Sequence, residues 1–342
     1  MRVRARRKWL NSLARPGSSA AAWRLLMGVR AFDPEPTMNH PDCQHSPSDE
    51  SPTLYFSPLS QLPKVRALAA DPALLRQIAA SDRAGQVALG SGDVAGAERA
   101  FAASLELRQR GNSEAQAGLP QAFGRLAVVA LRRGQSHRAR DLFELGLDIA
   151  RALRTQLSVD DAMLLQNLGY IARMAGDLDE AERCYASALS IKLLAVGEAH
   201  PTVATTLCSQ GMVLLRRDLP AAALEKFARA REIHEAATGT LSAGLGHVHM
   251  GTGSALLRLC RFAEAERSFG QALAVHEALP VARTVIARSR FFLARARWHR
   301  DPVGARGLAE QALGEYSRDP RSDPRPLAIM RAWLARRALA AA

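Results

Sequence analysis

Four histidines offer the first prospect of chemistry in this chain. His247 and His249 stand two residues apart, while His234 and His276 are 42 apart and each precedes a glutamate, Glu235 and Glu277. A zinc site on one helix needs ligands at i and i+4, and the HExxH pattern is missing after both pairs. Residues at i and i+2 point to different sides of a helix. The histidines therefore predict no metal site. The glycine-rich stretches GSGDVAG (Gly90–Gly96) and GTGSAL (Gly251–Leu256) would cradle a phosphate only between a strand and a helix, and neither follows a strand. No GxxxxGK followed by Ser or Thr occurs, and the kinase HRD and DFG elements are absent. Cys43, Cys184, Cys208 and Cys260 lie far apart with no CxxC pair, which argues against a zinc site and a disulfide framework alike. Free thiols in a reducing cytoplasm are expected. No nucleophile, base and orienting group can be assembled, so the expectation is a non-enzyme with no catalytic residue, no cofactor and no small-molecule substrate.

The elements that must position any other site follow from composition and periodicity. Of 342 residues 48% are apolar but only 5% aromatic, and Ala, Leu and Arg dominate over β-branched residues, which favours helices and a buried core. No window approaches eighteen uninterrupted apolar residues, so no membrane span is expected. Ala20–Val29 is the nearest approach to a signal-peptide core, but Arg24 splits it.

A period of 42 residues organises the chain. Residues 162–197, AMLLQNLGYIARMAGDLDEAERCYASALSIKLLAVG, set its phase. Stepping by the period takes Gly169 to Gly211 and Gly253. A small residue recurs as Ala97, Ala139, Ala181, Ala223 and Ala265. Four positions on stand Phe101, Phe143, Tyr185, Phe227 and Phe269, and three further on Ser104, Gly146, Ala188, Ala230 and Ala272. Each unit has a helical stretch, then Gly92, Gly134 or Gly176 where a chain leaving a helix wants a left-handed residue, then a second helical stretch. Units four and five carry Asp218 and Cys260 there. Cys tolerates that region poorly, so the fifth turn is expected to close differently. The small residues let helices approach, and the aromatic fills the space between one hairpin and the next. A sixth unit, with Ala305 and Ala312, arrives two residues early, has Ala309 in the aromatic column and lacks the helix-A glycine, as suits a terminal repeat.

These columns, and the stretch NLG…AGDLDEAERCYASAL (Asn167–Leu189) above all, resemble the tetratricopeptide repeat. The longer period and GEAHPTVATTL (Gly197–Leu207) are similar to its kinesin-light-chain type. The resemblance spans residues 72–315. It implies an all-α, right-handed superhelical solenoid of helical hairpins that binds peptides or partner proteins on a concave face lined by the first helices. The Asn that bonds peptide backbone in such arrays matches Asn167, whereas Ser209 and Gly251 replace it in the following units. The repeat phase then groups Met163, Gln166, Tyr170 and Arg173 with Arg132 before and Met212 and Arg216 after, a face suited to a segment with apolar anchors and acidic residues.

Outside the repeats, residues 1–32 hold eight basic residues and no acid, and residues 33–58 are rich in Pro, Ser, Asp and His. Residues 1–58 are therefore expected to be a disordered leader, with Met38 an alternative start. Residues 59–325 are expected to form about six repeats. Residues 326–342 are expected to form a capping helix with Leu327, Met330, Leu334 and Ala338 at helical spacing and Trp333 beside them.

The formal charge is +13, from 42 Arg, four Lys and 33 acidic residues, a skew that GC-rich codons produce without any ligand. From Ala282 onward 13 Arg face five acids, and Arg283, Arg290 and Arg297 recur every seven residues beside Arg288 and Arg295. A nucleic-acid site there is the less favoured reading, because aromatic stacking residues are not interleaved regularly with the stripe. A third reading rests on the Arg-rich repeats and LAEQALGEY…IMRAWLARR, which look like the repeat tails of some bacterial serine/threonine kinases and regulators. It implies a regulatory module of bacterial signalling.

Overall fold

A computed structural model describes residues 71–154, 156–239, 241–319 and 324–339, and among these the chain is helical without strands. The expected leader and linker, residues 1–58, lie outside them. The chain divides into two units, of which the larger comprises 71–111 and 115–342. The other comprises 1–70 with 112–114, and of it only 112–114 are described, at the start of a one-turn helix, Ser113–Gln116.

Helices of the larger unit pair in order. The first hairpin joins α1 (Pro72–Gly90) to α2 (Val94–Arg110). With the one-turn helix counted as α3, the second joins α4 (Leu119–Arg132) to α5 (Ser136–Leu153), and the third α6 (Val159–Ala175) to α7 (Leu178–Val196). The fourth joins α8 (Pro201–Arg216) to α9 (Pro220–Thr238), the fifth α10 (Ala243–Arg258) to α11 (Phe262–Ala278), and the sixth α12 (Arg283–Arg297) to α13 (Pro302–Ser317). A final helix, α14 (Pro324–Leu339), packs on α13.

Local chemistry sets these boundaries. Asp93, Asp177, Ser242 and Asp301 accept backbone N–H bonds at the starts of α2, α7, α10 and α13, and Ser158 with Asp161 forms a reciprocal capping box on α6. The turn between paired helices is one device used five times. A residue at positive φ (Gly92, Gly134, Gly176, Asp218, Cys260) lets the next N–H reach the carbonyl five residues back, in bonds from Asp93 to Ala88, Gln135 to Ala130, Asp177 to Ala172, Leu219 to Leu214 and Arg261 to Leu256, all at 2.8–2.9 Å. The fifth turn thus closes like the others, contrary to expectation. Cys260 is held at φ +56° because the Arg261–Leu256 bond and the helices packed on either side outweigh the strain of its Cβ. The sixth turn is the one that changes, with Asp301 bonding Arg297, four residues back.

The repeat columns form the core. Every member of the Ala97 column is fully buried, and the five aromatic rings of the next column are at most 2% exposed, each burial contributing about 2–3 kcal/mol. The helix-A glycines exist for these rings. A Cβ on Gly169, Gly211 or Gly253 would stand 2.7–2.8 Å from the ring of Tyr185, Phe227 or Phe269, closer than packing allows. Gly251 of the fifth hairpin also closes on Phe227, so that ring packs between two hairpins. In the sixth hairpin Ala309 stands where a ring would be. Phe291, Tyr316, Met330 and Trp333 pack round it, the last two from α14, with Leu327 and Leu334 partly buried beside them. The capping helix thus supplies the bulk that the degenerate repeat lacks. The side chain of Ala338 lies outside those described.

Among the described residues no helix is long and apolar enough to cross a membrane.

Candidate functional site

On α6 the buried apolar positions are Ala162, Leu164, Leu165, Leu168, Ile171 and Ala172. That leaves Met163, Asn167, Tyr170 and Met174 as a stripe on another side of the same helix, at spacings of four, three and four. Met163, Tyr170 and Met174 are 49%, 43% and 41% exposed, three large apolar side chains on one stripe. Asn167 is half-buried and donates through Nδ2 to the Met163 carbonyl at 2.9 Å, which leaves its Oδ1 able to accept and its second amide hydrogen able to donate. Met174 had not been picked out from the sequence, although it follows Tyr170 by one turn.

Arg173 sits at the edge of this stripe. Its guanidinium lies 5.4 Å from the centre of the Tyr170 ring, and its charge acts on the nearby hydroxyl of Tyr185. That explains the one tyrosine among four phenylalanines in the aromatic column, since a buried hydroxyl needs partners and here finds Arg173 and Ser209. Burial raises the Tyr185 hydroxyl above its ordinary pKa. The Nε of Arg173 is sealed from solvent without a hydrogen-bond partner.

Gln166 turns the other way. Its Oε1 accepts from Lys192 Nζ and from Thr206 Oγ1 at 3.1 Å, joining α6, α7 and α8. Lys192 is 1% exposed and donates further to Thr206 Oγ1 at 2.8 Å and the Thr202 carbonyl at 3.3 Å. All three partners are neutral, and burial pushes the ammonium down to about 8. One signal for this cluster was in the sequence: Lys192 falls 42 residues before His234 and 84 before His276, both buried.

The remaining candidates are dispersed. Met212 is half-buried and packs on the core around Phe227. Arg132 and Arg216 are exposed near the ends of α4 and α8. The structure therefore brings together Met163, Asn167, Tyr170 and Arg173, and turns Gln166 and Met212 inward.

Other candidate chemistry meets ordinary packing. Cys184 and Cys208 are free thiols pushed up to about 12 by burial, far from a reactive thiolate, and Cys260 is free and exposed. Cys43 lies outside the described residues. His276 Nδ1 is 2.8 Å from Ser289 Oγ, and burial, with His247 and Arg288 nearby, lowers the ring to about 4. Among the described residues no three His, Cys, Asp or Glu side chains converge as metal ligands. Two arginines of the C-terminal stripe are consumed in ion pairs: Arg290 pairs with Glu277 and Glu315, and Arg297 with Glu266.

Residues 160–236, the third and fourth hairpins, match the tetratricopeptide repeat family. The fold is accordingly an all-α solenoid of tetratricopeptide hairpins. Among solved structures, the Cut9–Hcn1 hetero-tetramer of the APC/C is similar over 77% of this chain and 42% of its own, with 15% identity and a TM-score of 0.56. BtubC (BKLC) from P. vanneervenii is similar over 78% of this chain and 93% of its own, with 20% identity and a TM-score of 0.48. Kinesin light chain TPR-like repeats from Podosopora anserina align over 60% of this chain and 99% of theirs, with 17% identity and a TM-score of 0.46. No protein of curated function matches the sequence.

Proposed function

We propose that this protein is a non-enzymatic interaction scaffold whose first-helix face, taken as the concave face of the array, holds a peptide or protein segment with apolar anchors and acidic residues. The observation that carries this reading is the stripe on α6: large apolar side chains stay exposed at Met163, Tyr170 and Met174, beside a backbone-competent amide at Asn167 and a guanidinium at Arg173. Exposed Met and Tyr are adaptable anchors that gain energy only when covered, and an Arg fork matches a carboxylate. Within this reading residues 59–325 are the repeat array, 326–342 the cap and 1–58 a leader. Free thiols at Cys184, Cys208 and Cys260 fit a cytoplasmic setting.

A random-peptide display selection against the full chain tests the proposal. Sequences combining apolar and acidic residues are expected to enrich, and their affinity is expected to fall at least tenfold for Met163→Ala/Tyr170→Ala, whose exposed positions leave the fold intact. Peptides that bind wild type and variant equally would place the binding face elsewhere.

A further inference from the structure

Beyond the α6 stripe, the end of the array holds a cleft of about 380 Å³ whose walls include Phe262 of α11, Arg295 of α12, His299 just beyond it, and Trp333, Arg336 and Arg337 of α14. No carboxylate is among the residues that line it. Its charge is uncompensated for a reason visible in the neighbourhood. Glu266 is taken by Arg297 and Arg300, Glu277 and Glu315 by Arg290, Glu310 by Arg306, and Asp301 caps α13. Arg295, Arg336 and Arg337 form no ion pair among the described residues. Guanidinium groups do not shed their protons at any working pH, so three positive charges share this space.

Two of them, Arg337 and Arg295, are also held in place. Arg337 lies over two indoles, 5.2 Å from the Trp298 ring centre and 5.7 Å from that of Trp333, and its Nε is sealed from solvent without a hydrogen-bond partner. Arg295 lies 5.2 Å from the Phe292 ring centre, and the Phe262 and His299 rings stack with centroids 3.6 Å apart. Aromatic packing fixes the guanidinium planes while leaving N–H donors for a ligand, as preorganised anion recognition requires. Burial, with Arg337 and Arg258 nearby, pushes Arg295 below its ordinary value, the strain an arriving anion would relieve.

We infer that this cleft is a binding site for a phosphoryl-bearing ligand carrying at least two negative charges. A lone carboxylate would leave most of the charge unmatched, whereas a phosphate or diphosphate supplies both the charge and the acceptors for bidentate guanidinium contacts, and the volume lies within the range of small-ligand sites. The phosphoryl group could arrive on a free nucleotide or on a modified side chain. This site is separate from the α6 stripe and stands or falls independently of it.

Isothermal titration of the full chain at 150 mM salt with inorganic pyrophosphate, adenosine diphosphate, a phosphoserine peptide and its unphosphorylated form provides the test. Saturable one-to-one binding of pyrophosphate is expected, weakened at least fivefold by Arg336→Gln, an exposed change that spares the packing, and abolished by Arg295→Gln. The α6 variant Tyr170→Ala should bind pyrophosphate like wild type. A tighter diphosphate nucleotide identifies a free ligand, and a tighter phosphopeptide a modified chain; both uphold the site. Absence of saturable binding by every phosphoryl probe, or equal binding by Arg336→Gln and wild type, overturns it.

Discussion

Arg108 in the first hairpin and Lys192 in the third occupy the same position of the repeat, two periods apart, and both bring a cation into the interior. Their surroundings differ. Arg108 meets Asp82 at 2.8 Å, and Arg125 from the second hairpin reaches the same carboxylate at 2.5 Å, with Ser104 donating to its other oxygen at 2.7 Å. Burial pushes the Asp82 carboxyl up, but the Ser104 bond and the two guanidinium groups outweigh it and hold the group below its ordinary pKa. Position 166, which corresponds to Asp82 two periods on, is glutamine, so Lys192 finds dipoles where Arg108 finds a charge. One scaffold therefore accommodates a compensated and an uncompensated buried cation at equivalent sites. The geometry is set by the repeat columns and the charge balance by one residue.

The largest effect should come from removing the compensation. Asp82→Ala leaves Arg108 and Arg125 facing each other and should cost about 3 kcal/mol in chemical denaturation. A loss below about 1 kcal/mol would mean that solvent already screens the pair.

The third hairpin should show a smaller effect, and one confined to alkaline pH. Lys192 titrates near 8 in the folded chain against 10.5 when unfolded, so between these values the unfolded chain holds a proton that the folded chain has released. Stability should rise with pH through that window, by on the order of 2 kcal/mol. Lys192→Met removes the titrating group, and denaturation midpoints measured from pH 7.5 to 10.5 should then lose the rise. Parallel profiles for the two proteins would show that Lys192 is not the group responsible.

The smallest expected change concerns the turns. The first and third hairpins close on Gly92 and Gly176, whereas the fifth closes on exposed Cys260 at φ +56°. Cys260→Gly relieves the left-handed strain and should raise the melting midpoint by an amount worth about 1 kcal/mol. The corresponding Gly176→Cys change should lower it by a similar amount. If neither moves it, the closing hydrogen bond alone fixes the turn.

Periodicity in the sequence was sufficient for the fold, because each column answers to contacts within one hairpin and its neighbour. Ala181, Tyr185 and Gly169 name their own partners once the period is known. Asn167, Met163 and Tyr170 were legible for the same reason: on a helix whose buried side is already fixed, the other side follows from spacing. The roles of Gln166 and Arg173 were not, since both depend on what the next hairpin presents, Lys192 and Thr206 to one, Tyr185 to the other. The C-terminal arginines show the limit most clearly. Spacing of seven put Arg283, Arg290 and Arg297 on one stripe, yet which C-terminal guanidinium groups are paired and which stay free was decided by carboxylates up to 34 residues away and by an indole arriving on α14. Sequence determined the helices, their pairing and the core, because short-range periodic contacts impose them. Only tertiary structure decided the charge balance, because a Coulomb interaction depends on distance in space and carries no period.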